Sequence, residues 1–242
     1  MDQKKTNEYL FENYLKTSPM NRSDNVDEWK IKWQKHNIEK FFLGNQKRYL
    51  DIGPGHGEVL TLWKRLGYEK IESVDISPDV CRHIQEIGFV CTLVQDTTVF
   101  LKNNVEKFDF IMLNDVVEHI PKEELVEFIK AAYGSLNKGG RIFIKVPNAQ
   151  SPHFATGRYA DLTHVQSFTE SSLFQLLSVG DFSNIRFIAE SYPIEISDIK
   201  GLLSKYVITP LYFWWTRKIR SAICHESPQI LTQAIMAVAE KK

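Results

Sequence analysis

Tyr49-Leu50-Asp51-Ile52-Gly53-Pro54-Gly55-His56-Gly57-Glu58 is the stretch from which the rest of the chain is read. An apolar, β-prone run feeds three glycines at alternate positions, and a helical pattern from Val59 to Leu66 follows. Glycine has no Cβ, so it tolerates positive φ and lets a ligand lie close against the backbone. The stretch predicts a strand, a tight ligand-holding turn and a helix. Three glycines and a proline also make ordinary turns. What favours the ligand turn is the next strand, Ile71 to Ile76, which carries the acid Asp75 near its end, about twenty residues on, as dinucleotide-type folds require. A nicotinamide cofactor usually needs Gly-x-Gly-x-x-Gly, and the third position here is Glu58.

Outward from this stretch, strands and helices alternate. A helix from Pro78 to Ile87 follows Ser77 as N-cap, with proline at the first helical position. Phe89 to Val94 reads as the third strand and Phe108 to Leu113 as the fourth. Lys122 to Leu136 is a helix with Leu125, Phe128, Ile129 and Ala132 on one face, stopped at Asn137-Lys138-Gly139-Gly140. Arg141 to Val146 is the fifth strand, Thr169 caps a helix to Val179, Ile185 to Ile196 is the sixth strand, and residues 230 to 239 are the last. Such alternation argues for parallel strands joined by crossover helices, an α/β doubly wound sheet. Residues 1 to 45 form a helical extension ahead of the domain at 46 to 242, as two helices around a turn-rich Ser18 to Ser23, with Asp24 or Asn25 capping the second. Trp29 and Trp33 read as core residues between that helix and the sheet. An insertion at 197 to 228 separates the sixth strand from the last.

The chain has 242 residues, with 30 acidic and 30 basic side chains, so no overall charge draws it to nucleic acid. An apolar content of 43% supports a packed core. The polar start and the lack of any run of about 20 apolar residues predict a cytoplasmic protein. Cys81, Cys91 and Cys224 are odd in number and lack Cys-x-x-Cys spacing, and read as buried reduced thiols.

Asp51 to Gly57, Val74-Asp75-Ile76-Ser77, Gln95-Asp96 and Phe108 to His119 together resemble, in order, the motifs of class I S-adenosylmethionine-dependent methyltransferases. The resemblance spans roughly residues 40 to 190. It implies a Rossmann-like, seven-stranded sheet with six parallel strands and an antiparallel last one. It also implies S-adenosylmethionine as cofactor and S-adenosylhomocysteine as product. Gly53, Gly55 and Gly57 would then approach the methionyl part, and Asp51 its ammonium group. Asp75 has two acceptor oxygens for the ribose hydroxyls. Asp96 is the expected partner of the adenine amino group, with Ile76 and Thr97 lining the base and Asn114 and Asp115 beside the amino acid moiety. Amino-group methyltransferases commonly carry Asn or Asp, Pro, Pro and an aromatic here. This chain reads Asn114-Asp115-Val116-Val117, which speaks against base methylation of nucleic acid.

Acceptor chemistry is expected in the loop after the fifth strand, Arg158-Tyr159-x-Asp161-x-Thr163-His164. Methyl transfer to a hydroxyl needs an aligned nucleophile and a group to take its proton, and histidine titrates in the needed range. His164 is the expected base, Asp161 its orienter or a binder of acceptor hydroxyls, and His119 a second imidazole beside the cofactor. The loop is similar to one in methyltransferases of bacterial surface-glycan biosynthesis, which implies a sugar or glycan-precursor acceptor. Two other readings stand: O-methylation of a quinone or lipid intermediate, and a non-catalytic cofactor-binding regulatory partner. No metal site is expected. Asp115 and Asp161 are the acids that could meet for one. From Ile199 to Cys224 there are five basic residues, no acid and a run of aromatics, which suits either peripheral contact with an anionic membrane or a cap over the acceptor.

Overall fold

The computed structural model describes residues 3–17, 26–194, 198–225 and 228–242. Among them the elements run α1 (Gln3–Glu12), α2 (Tyr14–Thr17), α3 (Glu28–Ile38), β1 (Tyr49–Ile52), α4 (Glu58–Arg65), β2 (Ile71–Asp75), α5 (Pro78–Glu86), β3 (Cys91–Leu93), α6 (Thr97–Lys102) and β4 (Phe108–Asn114). There follow α7 (Leu125–Ser135), β5 (Leu136–Pro147), α8 (Phe154–Tyr159), α9 (Glu170–Val179), β6 (Ser183–Ala189), α10 (Ile199–Leu203), α11 (Thr209–Cys224) and β7 (Ala234–Glu240).

The strands form one seven-stranded sheet in the order β3-β2-β1-β4-β5-β7-β6. β7 alone runs antiparallel, pairing Ile144 with Ala237 on β5 and Arg186 with Val238 on β6. This is the expected α/β doubly wound, Rossmann-like fold of class I methyltransferases. Strand alternation sends successive side chains to opposite faces, and here both faces are covered. Ile111 and Leu113 of β4 join Phe128, Ile129, Leu173 and Leu177 from α7 and α9. Phe110 and Met112 join Trp33, Val59, Leu60, Trp63 and Ile84 from α3, α4 and α5. Residues buried on both sides explain why β4 reads as a continuous apolar run.

Several local expectations are corrected. The third helix is capped by Asp27, whose carboxylate accepts from the amides of Trp29 and Lys30, while Asp24 and Asn25 lie outside the described residues. Trp33 is buried as expected, but Trp29 is half exposed and stacks on Tyr192, with ring centroids 5.9 Å apart. Helix α7 starts three residues later than its pattern suggests, and β5 begins at once from Leu136, before the glycines. The glycines lie inside a strand, where Gly140 leaves no room for a Cβ between the carbonyls of Asn137 and Asp109. β6 ends at Ala189, short of Ile196.

The cysteines are also corrected. Cys81 on α5 and Cys91 on β3 are joined in a disulfide, with Cα atoms 5.2 Å apart, and Cys224 is exposed. Spacing alone could not show this pair, because it is the packing of α5 against β3 that brings the two sulfurs together.

Candidate active site

The register of the sheet builds the site. Ile52 at the end of β1 lies beside Val74 of β2 and Leu113 of β4. One residue further on, Gly53, Asp75 and Asn114 therefore share the carboxyl edge of the sheet, where the strand order reverses between β1 and β4. In open α/β sheets this switch point is where ligands bind.

Gly53, Gly55 and Gly57 all take left-handed φ, +70°, +55° and +84°. Their constraints differ. A Cβ on Gly53 would meet Val116 Cγ2 at 2.7 Å, and one on Gly57 would meet Ile87 Cδ1 at 2.6 Å. Around Gly55 nothing lies within 4 Å, so the turn opens there onto free space.

Asp51 is 1% exposed, and neither carboxylate oxygen has a hydrogen-bond partner among the described residues. Burial raises its pKa well above the ordinary carboxylate range, with Glu58 and Asp75 adding to the effect. A partnerless buried acid is costly, and a ligand ammonium group would relieve it. Asp75 accepts from the Ser77 amide at 2.7 Å through one oxygen, and burial pushes its pKa up to about 6 against the pull of the Ser77 and Ile76 amides. Ile76 stays 38% exposed beside it. Asp96 caps α6 through Oδ1, accepting from Thr98 and Val99, with Thr97 between them. The buried Oδ1 of Asn114 is without a partner among the described residues. Open space at Gly55 and unmet acceptors on Asp51 and Asn114 fit S-adenosylmethionine, whose ammonium and hydroxyl groups donate.

Asp115 takes a left-handed φ of +58°, which turns the chain directly after β4. Its Oδ2 pairs with Lys145 Nζ at 2.5 Å. Burial opposes the charge of Lys145, but Asp115, with Glu190 and Glu118, outweighs it, so the pKa stands above that of an ordinary lysine. A lysine in the otherwise apolar run Ile142 to Val146 was the one sequence signal for this pair.

Beside this edge lie the two segments that carry the histidines. Val117–His119 form a short 3-10 turn after β4, and the loop after α8 lies against it, with the amide of Val165 donating to the carbonyl of Glu118 at 2.9 Å. Thr163 Oγ1 donates to Asp161 Oδ1 at 2.6 Å, so its lone pair accepts from Nδ1–H of His119 at 2.9 Å. His164 Nδ1 donates to the carbonyl of Gly157 at 2.8 Å. A neutral ring at either position therefore carries its proton on Nδ1, and the two rings meet edge to face at 4.7 Å. Asp161 thus orients His119 through Thr163, whereas the expected orienting contact to His164 is made by Gly157. Glu118 is fully buried, and its carboxyl oxygens have no hydrogen-bond partner among the described residues. Burial raises its pKa well above the usual range, and Asp115 adds to that. Burial pulls His119 down to about 4, and His164 adds to the effect against Asp161 and Asp115.

The sequence reading missed how the site is roofed. Phe11 and Tyr14 of α1 and α2 pack edge-on to His119, with centroids at 6.0 and 6.4 Å. On the other side the long helical stretch before β7 is tied to the acceptor loop. Tyr212 stacks on His153, and Arg220 donates to the carbonyl of Gln150 at 2.8 Å. A separate polar cleft of about 590 Å³, lined by Arg48, Lys107, Asp109 and Asn137, sits at the amino end of the strands and holds none of these residues.

Fold and site together define a class I S-adenosylmethionine-dependent methyltransferase. The chain belongs to the methyltransferase domain family, which it matches over residues 9–186. Among solved structures it is similar to an S-adenosylmethionine-dependent methyltransferase from Archaeoglobus fulgidus, at 25% identity and TM-score 0.68, covering 97% of this chain and 99% of that one. It also shares its fold with 1,6-didemethyltoxoflavin-N1-methyltransferase of Burkholderia thailandensis, solved with 1,6-didemethyltoxoflavin and S-adenosylhomocysteine. There the identity is 16% and the TM-score 0.60, with 99% and 90% of the two chains covered. A third, from Thermotoga maritima and described as a possible histamine N-methyltransferase, matches at 14% identity and TM-score 0.60 over 99% and 97%. Among proteins of curated function, none matches the sequence.

Proposed function

We propose that the protein methylates a hydroxyl of a sugar or related small polar acceptor, a phosphorylated or lipid-linked glycan precursor included. The observation that supports this best is the pair of imidazoles beside the carboxyl edge of the sheet, each with Nδ1 tied to the protein, and with Nε2 of His164 3.8 Å from the Glu118 carboxyl. When bound, S-adenosylmethionine supplies a methyl carbon on a positively charged sulfur. Asp51, Asn114, Asp75 and Asp96 would hold it, with Ile76 and Thr97 along the base and Asp115 beside the amino acid end. His164 takes the acceptor's hydroxyl proton. His119, set by the Thr163–Asp161 relay, positions that hydroxyl. The Burkholderia and Thermotoga neighbours' names describe methylation at nitrogen, and a neutral amine can attack without first losing a proton.

The test is calorimetry with S-adenosylhomocysteine, followed by incubation with S-adenosylmethionine and a panel of sugars, sugar phosphates and small amines, read by mass spectrometry. Methyl groups on hydroxyls, lost in His164→Ala, are expected. Absence of cofactor binding, or transfer to amines alone, sinks the reading.

A second reading, a lipid-borne or quinone-type acceptor met at a membrane, is favoured by the stretch Ile199–Cys224. None of its side chains is buried, and Tyr206, Leu211, Trp214 and Trp215 stand at least half exposed among five cations and no acid. Rings and cations together suit a headgroup layer. Among the described residues no helix is long and apolar enough to cross a membrane.

A further inference from the structure

The donors that converge beside the acceptor are not Asp115 and Asp161. They are Glu118, His119 and His164, which each offer one ligand atom, all within 4.8 Å of one another. We infer that these three side chains hold a divalent first-row transition-metal ion, Zn²⁺, Mn²⁺ or Co²⁺, which receives the acceptor oxygen at its open positions.

Three observations carry this. First, the Glu118 carboxyl is fully buried, without a hydrogen-bond partner among the described residues, and faces His164 Nε2 at 3.8 Å. Buried carboxyls are normally satisfied; here a cation completes the set. Second, both imidazoles have their outer nitrogen fixed, His119 by Thr163 and through it Asp161, His164 by the Gly157 carbonyl. Metal-ligating histidines are oriented in this way, by a carboxylate, hydroxyl or carbonyl on the far ring nitrogen. Third, two imidazoles and one carboxylate are the donor set of open, substrate-accepting sites for Zn²⁺ and its neighbours, and a poor one for Mg²⁺ or Ca²⁺, which take mostly oxygen. Bonds of about 2.0–2.2 Å require these atoms to draw closer together. The Glu118 side chain, which has no hydrogen bond to break among the described residues, would make most of that adjustment, while the Nδ1 contacts keep the two rings in place.

The consequence deepens the proposed hydroxyl methylation and rests on that reading, whereas cation binding itself does not. With such an ion bound, a coordinated acceptor hydroxyl would become more acidic, as bound water does, and could give its proton to solvent. His164 would then serve as a ligand in place of the base, and the site would favour acceptors that can offer oxygen to the ion.

The test uses full-length protein carrying Cys224→Ser, so that the exposed thiol does not compete. Titration with Co²⁺ is read by visible absorption, and with Zn²⁺ and Mn²⁺ by calorimetry. One equivalent at a Kd of about 10 μM or tighter is expected, weakened at least about 100-fold by His164→Ala and by Glu118→Gln. Glu118→Gln keeps the shape of the buried side chain, so it decides the matter if His164→Ala does not fold. No uptake of any of the three ions by the folded protein, or uptake that neither variant changes, overturns the inference. S-adenosylhomocysteine calorimetry runs alongside. Its failure with cation binding intact counts against methyl transfer and leaves the metal site standing, and the converse result removes only the metal.

Discussion

The hydroxyl of Thr163 stands 2.9 Å from Nδ1 of His119 and, by donating onward to Asp161, leaves that ring a single protonation pattern. A threonine that only the loop spacing drew attention to sets which nitrogen of a buried imidazole is free. Thr163→Val keeps the volume and removes the relay. Cation affinity should fall about 10–100-fold, as for other partners of metal-bound histidines, with S-adenosylhomocysteine affinity unchanged and Thr163→Ser close to wild type. Co²⁺ titration of the three proteins checks this.

Asp51 is a carboxyl that the free protein buries at a cost. Asp51→Asn should raise stability at neutral pH by about 1 kcal/mol, a shift of about 2–4 °C in Tm for a chain of this size. The same change should weaken S-adenosylhomocysteine binding at least about 10-fold, because the ammonium loses its anion. A Tm that falls while affinity holds would show that Asp51 serves the fold and not the ligand.

The glycines separate along the same two axes. Gly55→Ala has only its positive φ to bear, about 1–2 kcal/mol, since its Cβ meets nothing. Gly57→Ala adds a collision with Ile87 and should cost more stability. Cofactor affinity should fall at least about 10-fold in Gly55→Ala. Paired denaturation and calorimetry decide, and a Gly55→Ala protein that binds normally removes Gly55 from the site.

Protons report on Asp75. Its pKa of about 6 in the free protein lies above the unfolded value of about 3.9. The folded chain therefore binds more protons than the unfolded one between these values, and stability declines as pH rises through that window. Ribose hydroxyls donating to the carboxylate favour its ionised form, so binding at pH 6 should release up to about half a proton from this group. Calorimetry in buffers of differing ionisation enthalpy measures it; Asp75→Asn should release less, and net uptake by wild type contradicts the assignment.

Trp214 and Trp215 are 50% and 59% exposed, so replacing both by serine should change stability by no more than about 0.5 kcal/mol each. If this helix meets lipid, flotation with anionic vesicles at low salt should lose most of its signal in the double variant. Equal flotation of variant and wild type, or none by either, speaks against a membrane role.

The strand order and the cofactor edge were legible because they follow from local chemistry: alternating apolar runs, glycines at positive φ, and acids at strand ends. What stayed hidden was set by long-range packing. Nothing near Cys81 announces Cys91 as its partner, and nothing near His119 announces Thr163, Gly157 or Phe11. Trp29 and Trp33 lie four residues apart on one helix, a spacing that suggests a shared face, yet only Trp33 reaches the core. Lys145 did carry a signal, as a charge inside apolar sequence, but the fold alone brings Asp115 to Lys145 and His164 to Glu118.

The contact of Phe11 and Tyr14 with His119 bears on how the protein is handled. That imidazole is roofed by side chains that lie far ahead of it in the sequence, while its neighbours Thr163 and His164 lie well behind it. An affinity tag fused ahead of α1, or a preparation trimmed to the methyltransferase core, alters the wall of the reaction chamber itself. Acceptor screens should therefore keep α1 and α2 intact and place any tag after β7.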